Sequence, residues 1–191
     1  KTKMKKIGIT GSLASGKTTA SKILSFNKGP LFSADNIVRN YYKKNNFKKI
    51  ISKSLKITNG PNIKRILRNK ILNDKKSIKK LEKIIHPLVR KEMFKFMKVY
   101  KKRKFTFYEI PLLIESKLMK HFDIIFLIKA KKSVRLKRFK SKGGTTKLFK
   151  LLNSKQLSDA KKARYCHYSV VNEKNIKILK KKLLDIFNKY E

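Results

Sequence analysis

Residues 5–18 read Lys5-Lys-Ile-Gly-Ile-Thr-Gly11-Ser-Leu-Ala-Ser-Gly16-Lys17-Thr18. The part from Gly11 to Thr18 fits the phosphate-loop pattern G-x-x-x-x-G-K-[ST] without a gap. The residues before it, 5–10, predict a short buried strand, and the apolar spacing over 17–26 predicts a helix. A strand, a glycine-containing loop and a helix in this order indicate a nucleotide-binding loop.

The residues of this loop are suited to hold a triphosphate. Backbone N–H groups in such a loop point at phosphate oxygens, and the positive end of the following helix adds to their attraction. We expect Lys17 to place its ammonium beside the β- and γ-phosphates and the Thr18 hydroxyl to hold Mg²⁺. The residues predicted to bind ATP here are Gly11, Ser12, Leu13, Ala14, Ser15, Gly16, Lys17, Thr18 and Thr19.

Farther along the chain, predicted strands alternate with predicted helices. Apolar and aromatic runs predict strands over 31–32, 105–109, 124–128 and 168–171. Helical spacing covers 37–72 with a break at 59–61, 81–100 with a bend or interruption near Pro87, a stretch from about 133, a further helix from the Gly143-Gly144 break to about 164, and 176–187. This alternation predicts a three-layer α/β fold of the phosphate-loop type, with a parallel central sheet of about five strands. We expect the helix over 81–100 to lie against that sheet.

The charge balance is strongly basic. The 191 residues include 53 Lys and Arg against 11 Asp and Glu, which gives a formal net charge of +42. Such a charge is typical of proteins that bind RNA, DNA or an anionic membrane. However, 45 of the cations are Lys and only 8 are Arg, they are spread along the chain, and residues with AT-rich codons dominate the composition. We therefore expect no dedicated nucleic-acid partner, only non-specific binding driven by the charge.

Other sequence features disfavour several classes of protein. The longest apolar runs, such as 124–128, are far shorter than the roughly 20 residues needed to cross a bilayer. The segment after that run, Lys129-Ala-Lys-Lys132, lacks the acidic residue of a guanine-recognition element, which disfavours a GTPase, and 191 residues are few for a helicase. Cys166 stands alone and the opening residues do not match a secretory signal, so we expect a cytoplasmic protein.

Further motifs follow the phosphate loop in a fixed order. They are Ser33-Ala34-Asp35 with Arg39, Ile85-His86-Pro87-Leu88-Val89, Ile110-Pro111-Leu112-Leu113-Ile114-Glu115, Gln156-Leu157 and Val170-Val171-Asn172. Together with Gly8-Ile-Thr-Gly11 they resemble the dephospho-coenzyme A kinase family over roughly residues 5–172. The resemblance implies ATP- and Mg²⁺-dependent phosphorylation of the ribose 3′-hydroxyl of dephospho-coenzyme A, the last step of coenzyme A synthesis.

The resemblance also implies a division of labour along the chain. It predicts one kinase domain over 1–191, with a core over about 4–36 and 103–191, a helical substrate-binding region over about 37–100 and a lid over about 133–160. In the lid, the cations of the basic stretch around Arg135, Arg138 and Lys142 are expected to close over the ATP phosphates.

Acidic and basic side chains after the predicted strands are candidates for the chemistry. Asp35 follows the second predicted strand, which we expect to lie beside the phosphate loop, and a carboxylate there can orient and deprotonate a sugar hydroxyl. We predict that Asp35 and Lys17 are catalytic and that the substrate-binding residues are Asp35, Arg39, His86 and Pro87. Asp35 could instead cap a helix, and His86 could be a packed histidine. Glu109, at the end of the third strand, is expected to hold a water on Mg²⁺ or to pair with a lysine.

The chain departs from the family pattern at several positions. Ser12 and Ala14 stand where the family has Gly, and we expect phosphate access to survive if both keep a negative φ. Lys142-Gly143 replaces an Arg-Asp pair of the lid, and His167 and Val171 stand where acids are common. These changes bear on the rate of turnover more than on the reaction. Two alternatives remain open at this point: another nucleoside or nucleotide kinase, or a basic RNA-associated protein with a vestigial nucleotide site.

Overall fold

The computed structural model describes residues 4–191, apart from the side chain of Lys75. Its strands are Lys5–Gly11 (β1), Leu31–Ser33 (β2), Phe105–Glu109 (β3), Ile124–Lys129 (β4) and Tyr168–Val171 (β5). Its helices are Lys17–Ser25 (α1), Ala34–Tyr41 (α2), Asn45–Leu55 (α3), Ile63–Asn73 (α4), Lys75–Val99 (α5), Lys132–Ser141 (α6), Thr146–Ser154 (α7), Asp159–Ala163 (α8) and Ile176–Phe187 (α9). Short 3-10 turns cover Met119–His121 and Asn188–Tyr190.

The strands form one sheet in which every pair is parallel, in the order β2-β3-β1-β4-β5. The central strand β1 pairs on one side with β3, where Ile7 lies opposite Phe107, and on the other side with β4, where Ile9 lies opposite Phe126. Since parallel strands end at the same edge, the loop after β1 and the residues after β3, β4 and β5 share one edge of the sheet. The prediction of a parallel five-stranded α/β sheet is confirmed.

One detail of the expected sheet is wrong. Asp35 was expected to follow a strand beside the phosphate loop, but β3 lies between β1 and β2. Ser33 of β2 is in register with Glu109 of β3. Because Glu109 ends the strand that does neighbour β1, this carboxylate, rather than Asp35, belongs to the strand next to the loop.

Apolar side chains cover the sheet and bury its central strand. One face packs against α1 and α9 in a buried cluster that includes Ile7, Ile9, Ala20, Leu24, Phe107, Phe126, Ile128, Leu179, Leu183 and Phe187. On β1, Gly8 lies against Leu113 and Phe122, and a Cβ at this position would approach Leu113 to 2.9 Å. β1 is therefore buried from Ile7 to Gly11, which explains why this part of the strand carries no charged residue, while Lys5 and Lys6 at its start are half-buried.

The chain divides into two compact units, residues 4–33 with 99–191, and residues 34–98. The second unit is helical, and its buried core consists of Phe47, Ile51, Leu55, Ile63 and Leu67. Leu81, Ile84, Ile85 and Leu88 of α5 pack against this core. These residues of α5 therefore pack against α3 and α4 within the helical unit, and the expectation that the helix lies against the sheet stays a prediction.

Several helix boundaries differ from the predicted ones. α5 runs without interruption through Pro87, and its first turn begins well before the apolar pattern. The helical stretch over 37–72 has a second break, after Tyr41, and the stretch before residue 164 is divided into α7 and α8. Ser158 explains the last division, because its hydroxyl accepts a hydrogen bond from Lys161 N and caps α8. In residues 4–191, no helix has the length and apolar character that crossing a bilayer requires.

Candidate active site

The phosphate loop joins β1 to α1, and its two end glycines have backbone shapes that other residues rarely adopt. Gly16 is the N-cap of α1 with φ +98° and ψ +22°, and Gly11 has φ +153°. A Cβ at Gly16 would overlap the Asn172 amide, and a Cβ at Gly11 would overlap the Ile128 carbonyl and approach Ser15 Oγ to 2.7 Å. The glycines thus allow the backbone to turn, and they let the loop pack closely against the ends of β4 and β5.

Phosphate access was expected on the condition that Ala14 keeps a negative φ, and the structure does not meet this condition. The φ of Ala14 is +59°, in the left-handed region, whereas Ser12 keeps a negative φ. A left-handed residue between right-handed ones makes successive backbone N–H groups converge on one concave surface, which is how a loop binds an anion. The positive φ at Ala14 is therefore part of the anion-binding shape, obtained here without the glycine that the family uses at this position.

Lys17 lies at the start of α1 with only 8% of its surface exposed. Its ammonium donates a hydrogen bond to the Ser12 carbonyl at 3.1 Å, so the side chain folds back over the loop. The first N–H groups of a helix have no acceptor within the helix, and those of α1 begin at this residue. The loop thus brings an ammonium and helix N–H donors together, as a triphosphate requires.

Thr18 and Glu109 form the second polar feature of this edge. Thr18 is exposed, and its hydroxyl donates to Glu109 Oε1 at 2.5 Å, while the Glu109 side chain is only 1% exposed. A hydroxyl and a carboxylate next to a phosphate loop are the hard oxygen donors that Mg²⁺ prefers. Both residues therefore fit a magnesium ion, either as direct ligands or through water.

The predicted cations of the lid occupy different environments. Arg138 Nη1 lies 3.4 Å from the Ser15 carbonyl, beside the loop, whereas Lys142 is exposed at the end of α6. Arg135 is buried and donates to Ala130 O, Leu13 O and Asn153 Oδ1. Burial lowers the pKa of the Arg135 guanidinium from its ordinary value, and the Asp159 carboxylate opposes that shift. The Arg135 guanidinium is thus bound to the backbone carbonyls of Ala130 and Leu13 in this structure.

Three polar residues contact the loop, although the sequence had predicted no individual role for any of their side chains. Asn172 Nδ2 donates to Ser15 O at 2.9 Å, Gln156 Oε1 accepts from Leu13 N at 2.8 Å, and Asp159 Oδ1 accepts from Ser12 Oγ at 2.5 Å. Gln156 and Asn172 belong to motifs that carry the family resemblance, which was the available signal. Asp159 had no such signal.

A buried ion pair lies behind this part of the loop. Lys162 Nζ is 3.0 Å from Glu115 Oε1, and the Lys162 side chain is completely buried. The same carboxylate oxygen accepts a hydrogen bond from Leu157 N at 2.9 Å. Burial raises the pKa of the neighbouring Cys166 thiol to about 11, with Lys162 opposing and Glu115 reinforcing the shift.

The predicted acceptor-binding residues belong to the helical unit. Asp35 is exposed in the first turn of α2, inside the helix rather than at its cap, and Arg39 is exposed one turn later. His86 is half-buried in α5, and Pro87 beside it is exposed. The loop residues, Thr18 and Arg138 are brought together within the other unit.

Comparison with known proteins gives a consistent result. The sequence profile described as dephospho-CoA kinase matches residues 5–177. The dephospho-CoA kinase of Bartonella quintana (strain Toulouse) is 32% identical over 179 residues, covering 91% of each chain, and that of Rickettsia typhi (strain ATCC VR-144 / Wilmington) is 39% identical over 132 residues, covering 69% of each. Among solved structures, the dephospho-CoA kinase from Campylobacter jejuni has the same fold, with a TM-score of 0.65, 22% identity and 98% coverage of both chains.

The loop geometry and the match over most of the chain agree with the resemblance seen in the motifs. The profile spans β1, the phosphate loop and every later strand. The chain therefore belongs to the dephospho-CoA kinase family.

Proposed function

We propose that this protein transfers the γ-phosphoryl group of ATP to the ribose 3′-hydroxyl of dephospho-coenzyme A, giving coenzyme A and ADP. The observation that carries the proposal is the phosphate loop, which places the Lys17 ammonium over the Ser12 carbonyl at the start of α1. Family membership over residues 5–177 supports the choice of acceptor. The reaction ends coenzyme A synthesis.

The loop would bind the phosphate tail of ATP through its backbone. Leu13 N–H is engaged by Gln156, so the N–H groups of the first turn of α1, together with the Lys17 ammonium, are the donors for the β- and γ-phosphates. Arg138, which lies 3.4 Å from the Ser15 carbonyl, is placed to add positive charge beside the transferred group. Lys142, at the exposed end of α6, would add further positive charge over the phosphates.

Thr18 and Glu109 would hold Mg²⁺. Their oxygens lie 2.5 Å apart, with the carboxylate buried and the hydroxyl exposed. When bound, the ion neutralises charge on the β- and γ-phosphate oxygens. Glu109 would keep Thr18 oriented, since the carboxylate accepts the hydroxyl proton of Thr18 as a hydrogen bond.

The helical unit would bind the acceptor. Asp35, in the first turn of α2, would accept the proton of the ribose 3′-hydroxyl as that oxygen attacks the γ-phosphorus. Arg39, one turn later on the same helix, would pair with a phosphate of dephospho-coenzyme A. His86 and Pro87 of α5 would contribute to the same pocket.

We further propose that the protein works in the cytoplasm without a dedicated nucleic-acid partner. The single cysteine and the Lys-rich, Arg-poor composition support these two statements.

An acceptor-specificity assay tests the proposed reaction. Purified protein with ATP and Mg²⁺ is supplied with dephospho-coenzyme A, AMP or CMP, and ADP and the phosphorylated product are measured by chromatography. We expect dephospho-coenzyme A to be the fastest acceptor, with one ADP formed per coenzyme A. Faster phosphorylation of AMP or CMP would overturn the proposal.

A matched pair of variants links that activity to the loop. Lys17→Met removes the buried ammonium while keeping an unbranched side chain, and Lys22→Met removes an exposed ammonium from the same helix. We expect activity to be lost in the first variant and kept in the second.

A further inference from the structure

The outer turn of the phosphate loop, Ser12 and Leu13, is held by side chains from far along the chain. Asp159 accepts the Ser12 hydroxyl at 2.5 Å, Gln156 accepts Leu13 N–H at 2.8 Å, and Arg135 donates to Leu13 O at 3.2 Å. The N–H and the carbonyl of one residue are thus both satisfied by side chains. This outer turn has therefore little freedom to rotate.

The segment that carries Gln156 and Asp159 is itself fixed. Leu157 N donates to Glu115, and the same carboxylate pairs at 3.0 Å with the completely buried Lys162 ammonium. Breaking a buried pair leaves an uncompensated charge, so this contact resists opening. Asp159 is the first residue of α8, directly after the N-cap Ser158.

Ser12 joins Asp159 to the catalytic lysine. The Ser12 hydroxyl donates to Asp159, while the Ser12 carbonyl accepts from Lys17 Nζ at 3.1 Å and from Ser15 N at 3.1 Å. Ser15 N and Lys17 both belong to the concave part of the loop. A change in the position of Ser12 would therefore move two groups that define the phosphate-binding shape.

The loop needs such support because its own sequence does not favour this conformation. Ala14 has φ +59°, and a left-handed backbone is costly for any residue with a Cβ. A glycine at position 14 would adopt the loop shape readily, but here Ala14 takes its place, while Ser12 keeps a negative φ. The hydroxyl that Ser12 gains is the atom that Asp159 binds.

We propose that Asp159 and Gln156 are positioning residues for ATP, which hold Ser12 and Leu13 so that the loop is in its anion-binding shape before the nucleotide arrives. The proposal rests on the use of this loop for ATP, as proposed above. Neither side chain touches the phosphates in this scheme, because each is occupied by the outer turn. Preorganisation lowers the ordering that binding must accomplish, so their loss should weaken nucleotide affinity.

The first test compares ATP binding with acceptor use. For Asp159→Ala we expect the Kd of ATP by calorimetry, and the KM for ATP, to rise about tenfold. The KM for dephospho-coenzyme A should stay within about twofold of the wild-type value, because the acceptor does not contact this turn. Asp159→Asn keeps an oxygen that accepts the Ser12 hydroxyl and should restore most of the affinity. Lys161→Ala, an exposed neighbour on α8, is the matched control and should bind ATP normally.

A double-mutant cycle then tests whether Asp159 acts through Ser12. Ser12→Ala, Asp159→Ala and the combined variant should each weaken ATP binding by a similar factor, because all three remove the same hydrogen bond. Additive losses, or an ATP Kd within about twofold of wild type in Asp159→Ala, would overturn the proposal. So would equal increases in the KM values of both substrates.

Gln156→Met keeps the test valid if Asp159→Ala does not fold. This variant preserves the size of the side chain but removes the acceptor for Leu13 N–H, and the same selective rise in the Kd of ATP is expected. These binding measurements contain no acceptor. A wild-type protein that binds ATP but does not phosphorylate dephospho-coenzyme A would therefore refute the proposed function without refuting the role of Asp159.

Discussion

Asp35 is the acidic residue in the first turn of α2, and its carboxylate is exposed. Asp35→Asn keeps the shape of the side chain but removes its capacity to take a proton. We expect phosphoryl transfer to fall about a thousandfold while the Kd of ATP changes by less than about twofold. Single-turnover assays and calorimetry measure the two quantities.

Asp185→Asn provides the comparison for Asp35. It removes an equally exposed carboxylate, from α9, and should leave transfer unchanged. An undiminished rate in Asp35→Asn would remove this residue from the mechanism.

Ala14 is the residue whose backbone is most clearly at odds with its type. Ala14→Gly should increase the free energy of unfolding by a few tenths to about 1 kcal/mol, because relief of the left-handed strain exceeds the extra entropy that glycine brings to the unfolded chain. Chemical denaturation measures the change. Ala160→Gly, on the exposed face of α8, should instead destabilise by about 0.5–1 kcal/mol. A loss of stability in Ala14→Gly would show that the loop is not strained there.

At the scale of elements, the start of α5 depends on the charge of Asp74. Its carboxylate accepts hydrogen bonds from Ser77 Oγ at 2.7 Å and from Lys76 N at 2.9 Å. The Ser77 hydrogen bond, followed by that of the Lys76 amide, lowers the pKa of Asp74 below its ordinary value of 3.8. The stabilisation is therefore present above the unfolded-state pKa and is lost as the pH falls through the lower folded-state pKa.

Asp74→Ala should therefore lower the Tm at neutral pH, with a difference from wild type that shrinks in strong acid. Thermal denaturation followed by circular dichroism at about pH 7 and about pH 2.5 compares the two conditions. A difference that grows on acidification would contradict this account of the helix start.

At the scale of the whole molecule, the charge of +42 governs encounters with polyanions. Lysines spread over the surface should bind RNA of any sequence, and each phosphate contact releases counterions, so affinity falls steeply with salt. We expect binding to homopolymeric and mixed RNA to be equal in low salt and to vanish near about 0.15 M salt. Fluorescence anisotropy at a series of salt concentrations measures this. Tight, sequence-dependent binding at the higher salt would instead indicate a dedicated RNA partner.

Local patterns were sufficient to predict the strands and the loop. β1 and the phosphate loop depend on contiguous residues, and the buried strands β3 and β4 are short apolar runs whose bounds differ from the predicted ones by a residue at most. The breaks near Gly60-Pro61 and Gly143-Gly144 were also predictable, because glycine allows backbone shapes outside a helix and proline lacks the N–H that a helix needs, whereas Pro87 does not interrupt α5. The break after Tyr41 was not, since no such residue marks it.

Contacts between distant residues could not be predicted in the same way. Leu13 and Gln156 are 143 positions apart, and Ser12 and Asp159 are 147 positions apart, so their pairing depends on the assembled sheet. The placement of β3 between β1 and β2 is likewise a property of the topology, and it made Glu109 the partner of Thr18. The roles of Asp35, Arg39, His86 and Pro87 stay predictions.

The half-buried position of Cys166 has a consequence for an enzyme whose acceptor ends in a sulfhydryl group. Because burial raises the pKa of its thiol to about 11, this cysteine is almost entirely in the neutral form near neutral pH. Since the thiolate is the species that attacks a disulfide, oxidised forms of the acceptor exchange very slowly with the protein. The polypeptide can thus meet its substrate repeatedly without becoming covalently trapped by it.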